Sequence, residues 1–241
     1  MKKSLSFLYS ELSFGAKEAF RRLRTNVSSR LDKDKTCHIV GVTSAQPSEG
    51  KSLISINYSS SLSEVGKKVL LIDADIFRPS VHRVLGLEID GGFSELMSGE
   101  SKLTGLIKVF APEGSGLSLD VITAGGVTDN PSKLLNSRRF GSLLETLSAR
   151  YDYIVVDMPP IGSISDVVTI SQMTDGVLVV VREGHCPQRL LKQSMEQLQI
   201  ANVRILGFVL NGSSGGSHGG YYKNSYKNYY NEYSDYYEPK R

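Results

Sequence analysis

The chain has 241 residues, of which 40% are hydrophobic and 22% are charged, and its formal net charge is +3. This length and composition favour one globular core. The basic residues are dispersed along the sequence, which argues against a nucleic-acid-binding surface and predicts no nucleic-acid partner. Cys37 and Cys186 lie far apart in no CxxC arrangement, which is typical of free thiols in a reducing compartment and favours a cytoplasmic location.

The apolar segments are short. The N-terminal one is too short and too interrupted for a signal peptide. The longest strongly apolar run, residues 177–181, is strand length and far below the roughly 20 residues that a membrane helix needs. We therefore expect that the chain does not itself cross a membrane.

The first predicted element is an amphipathic helix that Ser13 could cap. Its apolar residues recur at helical spacing, at Ala16, Ala19, Phe20, Leu23 and Val27. After it, six short β-branched runs alternate with helical patterns, at residues 39–42, 69–72, 119–122, 153–156, 177–181 and 205–210. This alternation predicts a doubly wound α/β fold with a mainly parallel sheet and helices on both faces.

A phosphate-binding loop is predicted between the first strand and the following helix. Its candidate residues are Ala45, Gln46, Pro47, Ser48, Glu49, Gly50, Lys51 and Ser52, with Ala45 in place of the first glycine of the motif. Such a loop directs backbone N–H groups and a helix N-terminus toward phosphate oxygens. Lys51 would reach the β- and γ-phosphates of a nucleotide, and Ser52 would offer a hydroxyl to Mg²⁺. The alternative is a chance Gly-Lys-Ser turn.

Three carboxylates follow predicted strands. Asp73 and Asp75 come at the end of the second strand, and Asp157 follows residues 153–156. Because the C-terminal ends of parallel strands meet at one edge, these side chains should join the phosphate loop. Carboxylates and a lysine around a metal and a triphosphate suit phosphoryl transfer. For Asp75, and also for Asp73, the alternative is a turn with a helix cap after the strand.

The C-terminal segment has a different composition from the rest of the chain. Residues 212–220 are rich in Gly and Ser, and no Leu, Ile, Val, Phe or Met follows Leu210. We therefore predict a domain over residues 1–212, with the N-terminal helix as part of it, and a flexible tail over residues 213–241. The tail holds eight of the twelve tyrosines, namely Tyr221, Tyr222, Tyr226, Tyr229, Tyr230, Tyr233, Tyr236 and Tyr237.

Taken in this order, the phosphate loop, the two-aspartate strand end, Asp157 and the tyrosine tail resemble the bacterial tyrosine kinases of capsular and exopolysaccharide synthesis. The resemblance implies a MinD/ParA-like P-loop fold and autophosphorylation of the tail tyrosines with ATP. It also implies that Lys51 is catalytic, that Asp73 accepts the tyrosine proton, and that Asp75 and Asp157 assist the metal. Ser52, Asp73 and Asp157 are its implied Mg²⁺ ligands.

The resemblance extends to the N-terminal helix. Glu18, Arg21 and Arg24 match the family's ExxRxxR motif, which implies subunit contacts in a homo-oligomeric ring, although alone they are typical of a solvated helix face. A transmembrane adaptor that recruits the chain to the inner face of the membrane, and a tyrosine phosphatase, are the other implied partners. The chain departs from the family at Ser48 and Phe77. We expect Ser48 to be tolerated if its φ is negative, and Phe77 stands where an arginine is common.

Other functions compete with this one. A positioning ATPase of the MinD/ParA kind shares the fold, but it usually carries a second lysine where this chain has Gln46. A non-enzymatic regulator that binds nucleotide is another alternative, and the tail could be a low-complexity solubilising or adhesive segment. Arg182 and Asn211 are further candidates for contacts near the nucleotide base.

Overall fold

A seven-stranded sheet forms the centre of the molecule in a computed structural model that describes residues 8–101, 103, 105–126, 134, 138–163 and 166–212. The strands are β1 (His38–Ser44), β2 (Val69–Asp73), β3 (Lys108–Phe110), β4 (Leu119–Ile122), β5 (Tyr153–Asp157), β6 (Gly176–Arg182) and β7 (Ile205–Asn211). All six predicted strands are present, each within two residues of its predicted bounds.

Helices cover both faces of this sheet. The α-helices whose bounds lie within the described ranges are α1 (Phe14–Ser28), α2 (Lys51–Ser63), α3 (Val81–Leu85), α4 (Phe93–Ser98), α5 (Arg138–Ser148), α6 (Asp166–Ser171) and α7 (Gln188–Ile200). Short 3₁₀ turns lie at Tyr9–Glu11 and Ile161–Ser163. None of the helices in the described ranges is long and apolar enough to cross a membrane.

The strand order is β3-β4-β2-β5-β1-β6-β7. Every neighbouring pair is parallel except β3 and β4, so the prediction of a doubly wound, mainly parallel sheet is confirmed. Strand β3 was not predicted, because a strand of three residues with a lysine at its start has no alternation long enough to detect. It forms by pairing with the edge of β4.

Burial on both faces explains why the central strands are continuously apolar. Every residue of β2 and β5 is buried. One core cluster joins one face of these strands to α4, α5 and α7, where Phe93 and Phe140 meet edge to face with ring centroids 5.3 Å apart. A second cluster joins the other face to α1, α2 and α3. Two apolar layers therefore hold the parallel strand ends in fixed register.

Helix α1 forms where the sequence predicts it. The Ser13 hydroxyl accepts a hydrogen bond from Ala16 N–H at 3.4 Å, which caps the first turn. Val27 is buried, and Phe20 and Leu23 pack against the second core cluster. Ala19, although part of the apolar pattern, is exposed. The stripe that docks is therefore narrower than the one predicted.

A polar network joins α1 to α2 through Glu64. Its carboxylate accepts hydrogen bonds from Tyr9 Oη at 2.7 Å and from Arg21 Nε and Nη2 at 3.4 and 3.3 Å. Arg24 lies 3.8 Å from the same carboxylate and donates to the Ser61 carbonyl. Burial raises the pKa of Glu64, but the hydrogen bonds from Tyr9 and Arg21 outweigh it and hold that pKa below its ordinary value.

We expect Glu64→Gln to lower the free energy of unfolding by about 1 kcal/mol at neutral pH, because the ion pair and charge-assisted hydrogen bonds are lost. A carboxyl whose folded pKa is lowered stabilises the fold above its unfolded pKa and loses that effect as the pH falls through the folded value. The difference from wild type should therefore begin to shrink below the ordinary carboxyl pKa of 4.5 and vanish only below the lower pKa of the folded state. Urea unfolding across this range measures it.

The exposed carboxylate of Glu113 offers a matched control, since Glu113→Gln should change little at any pH. A Glu64→Gln deficit that stays constant down to acid pH would contradict the proposed role of the charge.

Candidate active site

The phosphate loop leaves β1 at Ser44 and enters α2 at Lys51. Gly50 precedes the helix with a φ of +90°, and a Cβ at this position would lie 2.1 Å from Asn211 Nδ2. Only glycine satisfies both the left-handed backbone and this close approach. The 13-residue helix α2 thus begins with its N-terminal N–H groups directed out of the loop, the arrangement that favours an anion.

The condition under which Ser48 was expected to be tolerated, a negative φ, is not met. Its φ is +65°, a conformation that costs an L-residue about 1 kcal/mol or more. The Ser48 carbonyl accepts a hydrogen bond from Arg182 Nη1 at 3.3 Å. The surrounding strands therefore impose a backbone shape that the loop sequence alone disfavours.

Glu49 holds the loop from inside. It is fully buried, and its carboxylate accepts hydrogen bonds from Gln46 N–H at 3.0 Å and from Arg182 N–H at 3.3 Å. Its own carbonyl accepts from Asn211 Nδ2 at 2.8 Å. The ends of β6 and β7 thus hold the phosphate loop, and the last strand ends on the same face as the loop.

The segment between β6 and α7 adds a second support. Gln46 Nε2 donates to the His185 carbonyl at 2.7 Å, and His185 Nε2 lies 3.2 Å from the Pro47 carbonyl. Gln46 stands at the position where positioning ATPases usually carry a lysine, and its side chain here helps to hold the loop. Ala45 is buried at the end of the strand.

Lys51 makes the shortest contact between charged groups in the site. Its Nζ lies 2.6 Å from Asp75 Oδ2 and 4.0 Å from Asp157 Oδ2, and the Ser52 hydroxyl lies 3.4 Å away. Burial lowers the pKa of Lys51, but the charges of Asp157 and Asp75 outweigh burial and raise it above its ordinary value. The ammonium therefore stays charged and available to phosphate oxygens.

Asp73 is fully buried at the end of β2, beside Asp157 on β5. Its Oδ1 accepts from Asp75 N–H at 3.1 Å, and its Oδ2 accepts from the N–H groups of Ser80 and Val81 at 3.3 and 3.2 Å. Burial and the charge of Asp157 raise the pKa of Asp73 well above its ordinary value. In this conformation the carboxylate fixes the segment between β2 and α3 and does not line the cleft.

Asp157 supplies the site's unsatisfied oxygen. Its Oδ1 accepts from the Ser55 hydroxyl at 3.0 Å, whereas the buried Oδ2 has no hydrogen-bond partner among the described residues. Burial raises the pKa of Asp157, with Lys51 opposing that shift. A buried carboxylate oxygen without a donor is suited to a cation or its bound water.

The residues present fit Mg²⁺. In the described ranges no group of three or more His, Cys, Asp or Glu side chains could hold a metal as a closed cage. Mg²⁺ usually takes one or two carboxylates, keeps several waters and completes its octahedron with phosphate oxygens. Ser52 and Asp157 at the foot of the phosphate loop offer that kind of open site.

A cleft of about 630 Å³ opens in front of these groups. Lys51, Ser52 and Asp75 form its inner end. Its outer wall consists of residues that follow β2 and of apolar neighbours, namely Leu53, Phe77, Arg78, Ser80, Arg83, Val84 and Pro160. The structure therefore brings the loop together with Asp75 and Asp157, buries Asp73 behind them, and continues the cavity beyond the phosphate site.

Several contacts escaped the sequence patterns. Arg83, Val84 and His185 carry no motif, because their positions depend on how α3 and the segment after β6 fold back. Arg182 and Asn211 were candidates for base contacts, and here they support the phosphate loop. Both residues stand at the C-terminal ends of strands, β6 and β7, and this position brings them to the loop. The predicted tail tyrosines lie outside the described residues.

Comparisons with known proteins agree with this geometry. The ParA family, described as NUBPL iron-transfer P-loop NTPase, matches residues 35–224. Tyrosine-protein kinase CpsD of Streptococcus pneumoniae is 37% identical over 81% of this chain and 84% of its own length. Tyrosine-protein kinase ptk of Acinetobacter johnsonii is 34% identical over 80% of this chain, which spans only 26% of that longer relative.

A solved kinase structure also resembles the fold of this chain. The kinase domain of the Escherichia coli tyrosine kinase ETK superposes with a TM-score of 0.76 at 34% identity, covering 85% of this chain and 80% of that domain. Similarity therefore extends over the sheet and the phosphate loop together. On this basis the chain belongs to the family of bacterial tyrosine-protein kinases, built on the ParA-type P-loop NTPase fold.

Proposed function

We propose that this protein transfers the γ-phosphoryl group of ATP to protein tyrosines, including the tyrosine cluster of its own tail. The observation that carries the proposal is the convergence of Lys51, Asp75 and Asp157 on a phosphate loop, in a chain that belongs to the tyrosine-kinase family. The cleft beyond them leaves room for an acceptor side chain.

The transfer follows from the charges present. The phenolic oxygen of the acceptor forms a bond to the γ-phosphorus, the bond from that phosphorus to the β–γ bridging oxygen breaks, and ADP leaves. Lys51 and the N-terminus of α2 stabilise negative charge on the phosphate oxygens. Mg²⁺ held through Ser52, Asp73 and Asp157, partly by water, would neutralise the β- and γ-phosphates.

The phenolic proton needs an acceptor, and the family resemblance gives this role to Asp73. The raised pKa of Asp73 makes it a stronger base than an ordinary aspartate, but both of its oxygens accept hydrogen bonds from backbone N–H groups. We propose that the segment between β2 and α3 opens when substrate binds and frees this carboxylate. Asp75, which already lines the cleft, is the second candidate for the base.

The tail is within reach of such a site. Asn211, at the end of β7, contacts Glu49 of the phosphate loop, so the described part of the chain ends beside this loop. A flexible segment of about 15 residues has a root-mean-square reach of roughly 20 Å, which suffices for the chain's own site or a neighbour's. We propose phosphorylation of a neighbour's tail within a homo-oligomeric ring.

We propose that Glu18, Arg21 and Arg24 contribute to that assembly. The Glu18 carboxylate lies 3.8 Å from Arg21 and 3.7 Å from Arg22, on the exposed side of α1, while Arg21 also holds Glu64. The protein would act in the cytoplasm and be recruited to the inner face of the membrane by a transmembrane adaptor. It would regulate capsular or exopolysaccharide synthesis there, with a tyrosine phosphatase reversing its modification.

Incubation with ATP and Mg²⁺ should place phosphate on the tail between Tyr221 and Tyr237. Lys51→Met should abolish it, because the buried ammonium that contacts the phosphates is lost. Mass spectrometry of the intact chain and its peptides measures the outcome, with the exposed Lys67→Met as control.

Because activity without an adaptor can be low, the assay is repeated with the cytoplasmic segment of an adaptor. ATP hydrolysis with an unmodified tail under both conditions would instead favour a positioning ATPase, and nucleotide binding without hydrolysis a non-enzymatic regulator.

Asp157→Asn separates function from stability. The raised pKa of Asp157 means that its ionised form costs the fold free energy at neutral pH, and Lys51 keeps its 2.6 Å ion pair with Asp75 in the variant. We expect an unchanged or higher melting temperature without ligand and a loss of transfer rate of about 100-fold or more. Thermal unfolding and a phosphorylation assay measure the two, with Asp34→Asn as control. A variant that melts lower and stays active would contradict the assignment.

Phosphorylation should dissociate the assembly. Each phosphotyrosine adds about −1.5 to −2 charges, so eight would add roughly −12 to −16 to a chain of net charge +3. Neighbouring tails would then repel one another, most strongly at low salt. Light scattering should give a smaller mass for the fully phosphorylated protein than for Lys51→Met treated alike. Equal masses in the two samples would exclude this mechanism.

A further inference from the structure

The outer wall of the cleft combines an exposed aromatic ring with two arginines. We call Phe77, Arg78, Arg83 and Val84 the basic wall. Phe77 is 40% exposed although it is large and apolar, and Arg78 and Arg83 are also exposed. All four line the same cleft as Lys51 and Asp75. The wall is therefore continuous with the phosphate site.

The charges of the wall are not neutralised within the described part of the chain. Asp75 is the one carboxylate that lines the cleft, and Lys51 Nζ already lies 2.6 Å from it. Neither Arg78 nor Arg83 forms a salt bridge with a described residue. Arg83 donates one hydrogen bond, to the Pro79 carbonyl at 2.9 Å. Two guanidinium groups thus face the cleft with capacity for an anion.

A ligand that matches this wall carries a doubly charged anion on an aromatic ring. Arginine binds phosphate through paired hydrogen bonds, which a planar fork of donors makes geometrically specific. An exposed phenylalanine offers a face or an edge to another ring. The triphosphate of ATP has its own partners in the loop, Lys51 and Ser52. The side chain that combines both features of the wall is phosphotyrosine.

The tail supplies such ligands next to acceptors. Each of its eight tyrosines has another tyrosine within three residues, and three pairs are adjacent, at 221–222, 229–230 and 236–237. A peptide with one tyrosine at the inner end of the cleft therefore brings a second one close to the wall. Once that second tyrosine is phosphorylated, its charge is opposite to that of Arg78 and Arg83.

We propose that the basic wall is a binding subsite for a phosphotyrosine that lies within a few residues of the acceptor tyrosine. One phosphorylation of the tail then promotes the next on the same segment, so that modified tails carry several phosphates. This inference rests on the proposed kinase activity for its role, although the binding it describes is independent of catalysis.

The test uses the full-length chain with its eight tail tyrosines replaced by phenylalanine, so that the protein's own tail does not compete. Three labelled peptides of residues 224–233 are compared, carrying tyrosine, phosphotyrosine or phosphoserine at position 230. Fluorescence anisotropy without ATP gives binding, and phosphate transfer with ATP gives kcat/KM. Arg83→Gln removes one guanidinium of the wall, and Arg150→Gln removes one at the opposite edge of the sheet.

The phosphotyrosine peptide should bind about tenfold more tightly than the unmodified one, since one or two charge-assisted hydrogen bonds are added. Arg83→Gln should reduce this ratio toward one, and Arg150→Gln should preserve it. Higher salt should also reduce the ratio, because the wall is exposed. The same preference should appear in kcat/KM for the remaining tyrosines.

Other outcomes overturn the proposal. Equal binding of the unmodified and phosphotyrosine peptides excludes the subsite, and equal binding of the phosphoserine and phosphotyrosine peptides excludes recognition of the ring. An Arg83→Gln variant with a raised KM for ATP and an unchanged peptide ratio assigns the wall to the nucleotide. Selective phosphotyrosine binding without any transfer supports the subsite and contradicts the proposed kinase activity instead.

Discussion

The excess of carboxylates around one lysine is the constraint on which the rest of the site depends. Asp73 and Asp157 are neighbours at the ends of β2 and β5, and Asp75 follows directly, while Lys51 is the one cation within 4.0 Å of these carboxylates in the described structure. Burial of like charges raises the pKa values of Asp73 and Asp157. A divalent cation would relieve the repulsion within such a cluster, and this is the physical basis of the proposed Mg²⁺ site.

The sheet creates this cluster through topology. The C-terminal ends of parallel strands lie at one edge of the sheet. Because β5 lies between β1 and β2, the phosphate loop after β1 lies at the same edge as the acidic ends of β2 and β5. Two apolar layers fix the strands so firmly that carboxylates can be buried at their ends. Arg182 and Asn211, at the ends of β6 and β7, hydrogen-bond to Ser48 and Glu49 of the loop and hold it in a conformation that is unfavourable for Ser48.

The motif on the N-terminal helix already makes contacts within the chain, in addition to the assembly role that we propose for it. Arg21 and Arg24 hold Glu64 within the chain, and Glu18 remains on the exposed side of α1. Assembly through this motif would therefore add to an existing network, or exchange partners with it, since surface arginines have several donors. The same network fixes α1 against the C-terminal end of α2, the helix that begins at Lys51, so the proposed assembly would act on the helix that follows the phosphate loop.

The sequence by itself determined the local features. Apolar runs predicted six strands, the Gly50-Lys51-Ser52 turn predicted the phosphate loop, and strand-end position predicted that the three aspartates would gather at it. The six strands are confirmed, because the periodicity of apolar residues is a local property. Only the tertiary structure decided the rest: the pairing of β3 at the edge of the sheet, the positive φ of Ser48, the burial of Asp73 and the basic wall. Each of these depends on segments distant in sequence, whose contacts no local pattern encodes.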